Sequence, residues 1–175
     1  MIPEASFWEP QSPHLYAGPV ELWQDGQRCE VVSVRHGLRH LALGPRGLRL
    51  NGHLLRLRGR RVTHLDDSSA LALREAGYNL VVAPVTEELR AVWEVADRIG
   101  LFVLGRAEGE SSLTEQLSGH PSCLGWISGD EGVIVGQPGA TFSVRASGEA
   151  NGDGPVLLDA PAAQGGEAVI GVIEG

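Results

Sequence analysis

The chain contains no lysine: all fourteen of its basic residues are arginine. Cysteine occurs twice, methionine once, and the aromatic residues Phe, Trp and Tyr make up only 5% of the 175 residues. Each scarcity excludes something. Two thiols, Cys29 and Cys123, far apart in the chain, cannot build a thiolate-rich metal site and demand no disulfide. They read as buried free cysteines of a reducing compartment, with the cytoplasm as the default location. No apolar run is long enough to span a bilayer, and no basic-then-apolar leader follows Met1, so nothing addresses the chain to a membrane or to export. No Gly-rich phosphate loop follows any candidate strand, which argues against a nucleotide-binding sheet. The six histidines do not cluster with acids at ligand spacing, so neither a metal nor an organic cofactor is expected.

Basic charge is also short. The formal net charge of −8 argues against general nucleic-acid binding. It is unevenly spread: residues 1–61 carry nine Arg against five acids, and residues 62–175 five Arg against seventeen acids. The absence of lysine itself carries no functional meaning.

What is present has the patterning of a globular protein, with 42% hydrophobic and 21% charged residues, enough for one domain or two small ones. From residue 15 to 43 the pattern is β. Val20-Glu-Leu-Trp23 alternates, Gln24-Asp-Gly-Gln27 is a hairpin turn, Cys29-Glu-Val-Val-Ser-Val34 returns, and His40-Leu-Ala-Leu43 adds a third strand. Three such strands suit part of a sandwich. Gly44-Pro-Arg-Gly47 is a turn and the expected domain boundary. Beyond it, residues 48–58 alternate Leu with Arg about an Asn-Gly turn, with Arg49, Arg56, Arg58, Arg60 and Arg61 on a solvated face.

The rhythm then changes to strand–helix alternation. Asp66 or Asp67 caps a helix running to Glu75 and ended by Gly77. Residues 79–84 form a buried strand. Thr86 caps the next helix, whose apolar face is Leu89, Val92, Trp93 and Ala96, with Gly100 as its stop. Residues 101–104 are a strand, residues 112–117 a short helix, and Cys123-Leu-Gly-Trp-Ile127 another buried strand. Such alternation implies a parallel sheet, either a barrel or a doubly wound sheet. The text thins over residues 132–153, rich in Gly, Ser and Ala. Residues 155–159 and 168–173 read as two further strands, bringing the count to about six. About 130 residues follow the boundary, whereas a closed eight-stranded (β/α) barrel usually needs at least ~200.

The stretch on which the site reading turns is His120-Pro-Ser-Cys-Leu-Gly-Trp-Ile-Ser-Gly-Asp-Glu131. Two carboxylates, Asp130 and Glu131, follow a buried strand, the usual place for acid/base groups in an α/β barrel. The plain structural alternative is a polar loop with both acids in water. Trp126 reads as core packing, with stacking on the ring of a bound ligand as the alternative. His64 reads as an exposed loop residue.

Several motifs, in order over roughly residues 6–131, resemble family 2 glycoside hydrolases of the β-galactosidase and β-glucuronidase type. They are Trp8-Glu-Pro10 with Pro13-His-Leu-Tyr16, Arg35-His-Gly-Leu-Arg39, Leu50-Asn-Gly-His-Leu-Leu-Arg-Leu-Arg-Gly59, and His120-Pro-Ser with Trp126-Ile-Ser-Gly-Asp-Glu131. The resemblance implies a partial or reduced (β/α) TIM-type barrel over residues 46–175. Ahead of it, residues 1–45 would be the remnant of an immunoglobulin-like β-sandwich. It implies a retaining double displacement on a β-glycoside, with Glu131 as general acid/base and Asp130 in place of an Asn that contacts the sugar 2-hydroxyl. Arg58 and His64 fall near family positions at the sugar site, and Arg58 reads equally as an ion-pair partner of Glu131 or Asp130. Two departures cut against catalysis: Val82-Ala-Pro-Val85 stands where the family carries Arg-x-Ser-His-Tyr-Pro, and Gly105-Arg-Ala-Glu108 where it carries Asp-Glu-Ala-Asn. The nucleophile is not identifiable, Glu174 in Ile173-Glu-Gly175 being its sole candidate. The expectation is a glycosidase-like protein, weak or inactive alone, or a non-catalytic carbohydrate-binding or protein-interaction scaffold. Open sheet edges would be covered by a second copy or a partner chain.

Overall fold

A computed structural model describes residues 4–44, 47–107, 111–137, 139–146, 156–159 and 169–174. The N-terminal part opens with two short paired strands, β1 (Trp8–Glu9) and β2 (Ser12–Pro13). A long hairpin follows, β3 (Tyr16–Gln24) and β4 (Gln27–His36). Its turn residues Asp25 and Gly26 both have positive φ, 52° and 77°, the backbone a two-residue type I′ turn needs. Next come β5 (Leu41–Gly44), β6 (Gly47–Leu50) and β7 (His53–Leu54), a three-stranded antiparallel sheet. The sequence reads His40-Leu-Ala-Leu43 as a third strand of the same sandwich part as the hairpin; in the structure β5, over Leu41–Gly44, pairs with β6 instead. The reason lies in the link. Gly37 is wedged against Pro121 and Trp8, where an added Cβ would come within 2.7 and 2.8 Å of theirs, so the chain turns away from β4 before β5 begins.

The remaining strands are β8 (Leu57–Arg61), β9 (Leu80–Pro84), β10 (Phe102–Arg106), β11 (Cys123–Ser128), β12 (Glu131–Ile134), β13 (Thr141–Ala146), β14 (Val156–Asp159) and β15 (Val169–Glu174). They close into a barrel, with β15 pairing back onto β8. Neighbouring strands are parallel except at β12, which is antiparallel to both β11 and β13. Leu57, Leu80, Val82, Phe102, Leu104, Leu124, Ile134, Phe142 and Ile173 fill the interior. The ring holds two strands more than the count of about six, and β12 and β13 are the ones the sequence hides. Gly132 faces the interior beneath Phe142, and an added Cβ would come within 2.1 Å of that ring. The small residue that blurs the strand pattern is the one that makes room for the aromatic.

Helices cover one side of the ring: α1 (Asp67–Glu75) after β8, α2 (Ala91–Ile99) after β9 and α3 (Ser112–Leu117) after β10. Asp66 caps α1 as expected. Its carboxylate accepts the Ser69 amide at 2.8 Å, and the Ser69 hydroxyl answers the Asp66 amide at 3.0 Å. These donors hold the Asp66 carboxyl well below the usual carboxylate range. Thr86 does not cap a helix. It precedes a 3₁₀ turn, Glu87–Leu89, with no side-chain capping bond, and α2 starts only at Ala91. Val92, Trp93, Val95 and Ala96 of α2 bury against Val81, Ala83, Val103 and Cys123 in the outer layer.

The two cysteines differ, contrary to the expectation that both are buried. Cys123 is enclosed, whereas Cys29 lies on the exposed β4, in a hairpin that no other described element covers. Burial pushes the Cys123 thiol up to about 12, against partial relief from Arg39. A thiol-titrating disulfide reagent should therefore count one thiol in the native protein at neutral pH and two in denaturant. The sign of the pH effect follows: a folded pKa above the unfolded one gives stability that is intact below about pH 8.5 and lost as pH rises toward 12. Two equally fast native thiols would contradict the packing around Cys123.

Candidate functional site

The site residues are positioned by an irregularity in β11. Val103 pairs with Cys123, but the next residue, Leu104, pairs with Gly125, so one residue of β11 is bulged. Cys123 faces the helices and Leu124 the interior; after the bulge Trp126 joins the helix side again and Ile127 the interior. Trp126 stacks obliquely on Trp93 of α2, with ring centroids 6.3 Å apart. Gly125 permits this arrangement. A Cβ there would sit 1.9 Å from the Val133 carbonyl oxygen on β12.

Gly129 and Asp130 make the turn into β12, and Glu131 begins that strand opposite Ser128. Asp130 and Glu131 are both exposed. On β12 the buried residues are Gly132 and Ile134, with Ile134 in the barrel interior; Glu131 and Val133 take the opposite, outer face. Glu131 therefore stands at the carboxyl end of the parallel strands, as its place after β11 requires, but on the outside of the sheet. A cavity of about 440 Å³ opens there. Trp126, Ser128, Glu131 and Val133 form its sheet wall, and Thr114, Glu115 and Ser118 of the α3 region the other, with Ala107 at the edge. Glu115 is the member that sequence reading missed. Its signal was faint, a single acid in the first turn of a six-residue helix.

The other sequence candidates lie elsewhere. Arg58 is an ion-pair partner of neither acid: its Nη1 donates to the Ala76 carbonyl at 3.0 Å, at the end of α1, and its guanidinium lies 4.5 Å from the centre of the Tyr78 ring. His64 is exposed in the loop after β8, with Nε2 3.7 Å from Asp66 Oδ2. Glu174 ends β15 opposite Arg60, three strands round the ring from β12; its side chain is outside the described residues, as are Glu108 and Gly175. The structure thus brings Glu131 and Trp126 together with Asp130 at the turn beside them, and leaves Arg58 and His64 apart. Among the described residues no group of three or more His, Cys, Asp or Glu is arranged to hold a metal ion, and no helix is long and apolar enough to cross a membrane.

The remaining motifs converge at the opposite end of the barrel. His120 Nδ1 lies 2.6 Å from Asp97 Oδ2, and Asp97 Oδ1 accepts the Ser122 amide at 2.9 Å. Trp8 Nε1 donates to the Asp97 carbonyl at 2.9 Å, and Arg39 donates to the Cys123 carbonyl. These contacts tie the N-terminal strands, α2 and the start of β11 into one cluster.

No family model and no curated protein matches the chain. Solved structures do. A β-glycosidase from Bacteroides vulgatus aligns with a TM-score of 0.58 at 21% identity, over 71% of this chain and 21% of its own. A glycosyl hydrolase family 2 member from Bacteroides cellulosilyticus aligns with a TM-score of 0.58 at 22% identity, over the same shares. An FMN-binding β-glucuronidase from Facaelibacterium prausnitzii aligns with a TM-score of 0.61 at 16% identity, over 94% of this chain and 34% of its own. The chain spans between a fifth and a third of the length of these structures, and at such identities the likeness is one of fold. It has the fold of that part of the family 2 glycosyl hydrolases.

Proposed function

We propose that this chain is a reduced module of the family 2 glycosidase type that binds a β-glycoside at the Trp126–Glu131 cavity and does not hydrolyse it efficiently by itself. In this reading the ring is a reduced TIM-type barrel over residues 46–175. The β3–β4 hairpin is what remains of an immunoglobulin-like sandwich within residues 1–45. The observation that carries the proposal is the sharing of one cavity by an indole, two carboxylates and three hydroxyl groups, the mixture of apolar face and hydrogen-bonding groups that a pyranose ring presents in return.

The same geometry argues against efficient turnover. Glycosidases enclose the scissile bond between two carboxyl groups and exclude bulk water. Glu131 and Glu115 are both exposed, and the cavity lies on the outer wall of the sheet. Asp130, at the turn, is left as a rim acceptor for a sugar hydroxyl. The uncovered β3–β4 hairpin, with Val20, Leu22, Val32 and Val34 exposed on one face, supports the further reading that a second copy or a partner chain packs there.

The test is a panel of nitrophenyl β-glycosides (galactoside, glucuronide, glucoside, mannoside) with the native chain, Glu131→Gln and Glu115→Gln. Turnover at or near the background of buffer, equal in all three proteins, is expected. Hydrolysis well above background that Glu131→Gln abolishes would replace this reading with that of a working glycosidase.

A further inference from the structure

A second cavity, of about 380 Å³, lies at the amino end of the parallel strands, the end opposite Glu131. His36, Arg39, His40 and His120 line it, and among the described residues no Asp or Glu does. Arg39 is held between aromatic faces, its guanidinium carbon 6.0 Å from the centre of Trp8 and 5.7 Å from that of Phe102. One of its terminal nitrogens donates to the Cys123 carbonyl, while the buried Nη1 has no hydrogen-bond partner among the described residues. A buried guanidinium without a facing carboxylate is costly, because its charge has left water without a counter-charge in contact. Desolvation accordingly brings Arg39 down to about 10, with Asp97 and the Cys123 thiol offsetting only part of it. Asp97 stands behind His120, bonded to its Nδ1, which fixes the ring and leaves Nε2 as the atom available to a ligand.

We propose that this cavity binds a tetrahedral oxyanion, either free phosphate or the terminal phosphate group of a small monoester. His36 and His40 can each turn a ring N–H toward the rim. His120 donates through Nε2 when its ring is protonated, because its Nδ1–H is committed to Asp97. The Arg39 charge acts from the floor through a medium of low dielectric. Three imidazoles and a guanidinium with no acid among them make a poor site for a cation, a neutral sugar or an amine. The dimensions suit a compact anion with room for a short organic tail.

The test is titration of the whole chain with inorganic phosphate, methyl phosphate, sulfate and acetate. Imidazole proton resonances of the six histidines are followed, and sodium chloride serves as the control at matched ionic strength. Phosphate should shift the His36, His40 and His120 signals saturably at millimolar concentration, leave His14, His53 and His64 in place, and raise Tm. Binding of phosphate and methyl phosphate alike assigns the terminal group as the ligand; binding of phosphate alone assigns the free ion. Arg39→Gln is the direct variant but removes a packed side chain. The double variant His36→Ala/His40→Ala, confined to exposed positions, should keep the native Tm in chloride and lose at least tenfold in phosphate affinity. Shifts spread evenly over all six histidines, a chloride response equal to that of phosphate, a response to acetate alone, or undiminished binding by the double variant would each overturn the proposal.

Discussion

Replacing Trp8 by alanine should lower the melting temperature by about 10 °C, a large effect for a residue eight positions from the start of the chain. Trp8 has no solvent exposure. Its indole meets Phe102 edge-on with centroids 5.2 Å apart, and its Nε1 reaches the Asp97 carbonyl across eighty-nine residues of sequence. Removing it empties the place where the N-terminal strands meet α2 and the barrel floor, and leaves the Asp97 carbonyl without its indole donor. Truncation of a buried Trp costs about 3–5 kcal/mol. At about 2–4 °C per kcal/mol for a chain of this size, the shift reaches the stated value. Thermal unfolding followed by circular dichroism reads it. A loss under 2 °C would mean that the N-terminal strands do not pack on the barrel as described.

The second large effect is expected at Gly125. Gly125→Ala places a methyl group where the Val133 carbonyl oxygen now lies 1.9 Å from the ideal Cβ position. That contact is with backbone, so no side-chain rotation relieves it; β11 and β12 must part or the bulge must move. Overpacking of this kind costs about 1–3 kcal/mol or more. Its functional consequence exceeds its thermal one, since β12 carries Glu131 and the bulge aims Trp126 outward. The variant should keep most of its helical signal, red-shift the summed emission of the four tryptophans as Trp126 becomes more solvated, and lose the sugar binding proposed for the cavity. Retention of native fluorescence and native sugar binding would show that the bulge does not set the site.

The contrast between Trp8 and Gly125, whose roles depend on partners remote in sequence, and the rest of the chain explains how far the sequence could be read. The strand–helix units from Leu57 to Ser128 were legible because each carries strong punctuation: Asp66 at a helix start, Gly77 and Gly100 at the stops, and continuous apolar runs for strands buried on both faces. The hairpin at Asp25-Gly26 was legible for the same reason. β12 and β13 were not, because the Gly132–Phe142 contact trades a bulky residue for a close approach, and periodicity has no record of which partner fills the space. The destination of β5 was equally hidden, since it depends on Gly37 meeting Pro121 and Trp8, residues remote in sequence. At the site, a strand followed by Gly-Asp-Glu located Glu131 at the correct end of the sheet. The face it takes rests on a one-residue bulge, and a shift of one residue in a strand exchanges inside for outside. Glu115 came from a different element altogether, and Arg58, alternating with leucine, was spent on closing α1 and covering Tyr78.

The central claim, a glycoside held against Trp126 beside Glu131 without turnover, is tested most directly by titrating the protein with methyl β-glycosides while following tryptophan fluorescence. Trp126→Ala serves as the comparison. A ligand of monosaccharide size, at about 0.3 kcal/mol per heavy atom, should bind in the millimolar range. The account predicts a saturable change with at least one glycoside, absent in Trp126→Ala, with the sugar recovered intact. No saturable change with any glycoside, or an undiminished change in Trp126→Ala, would contradict it.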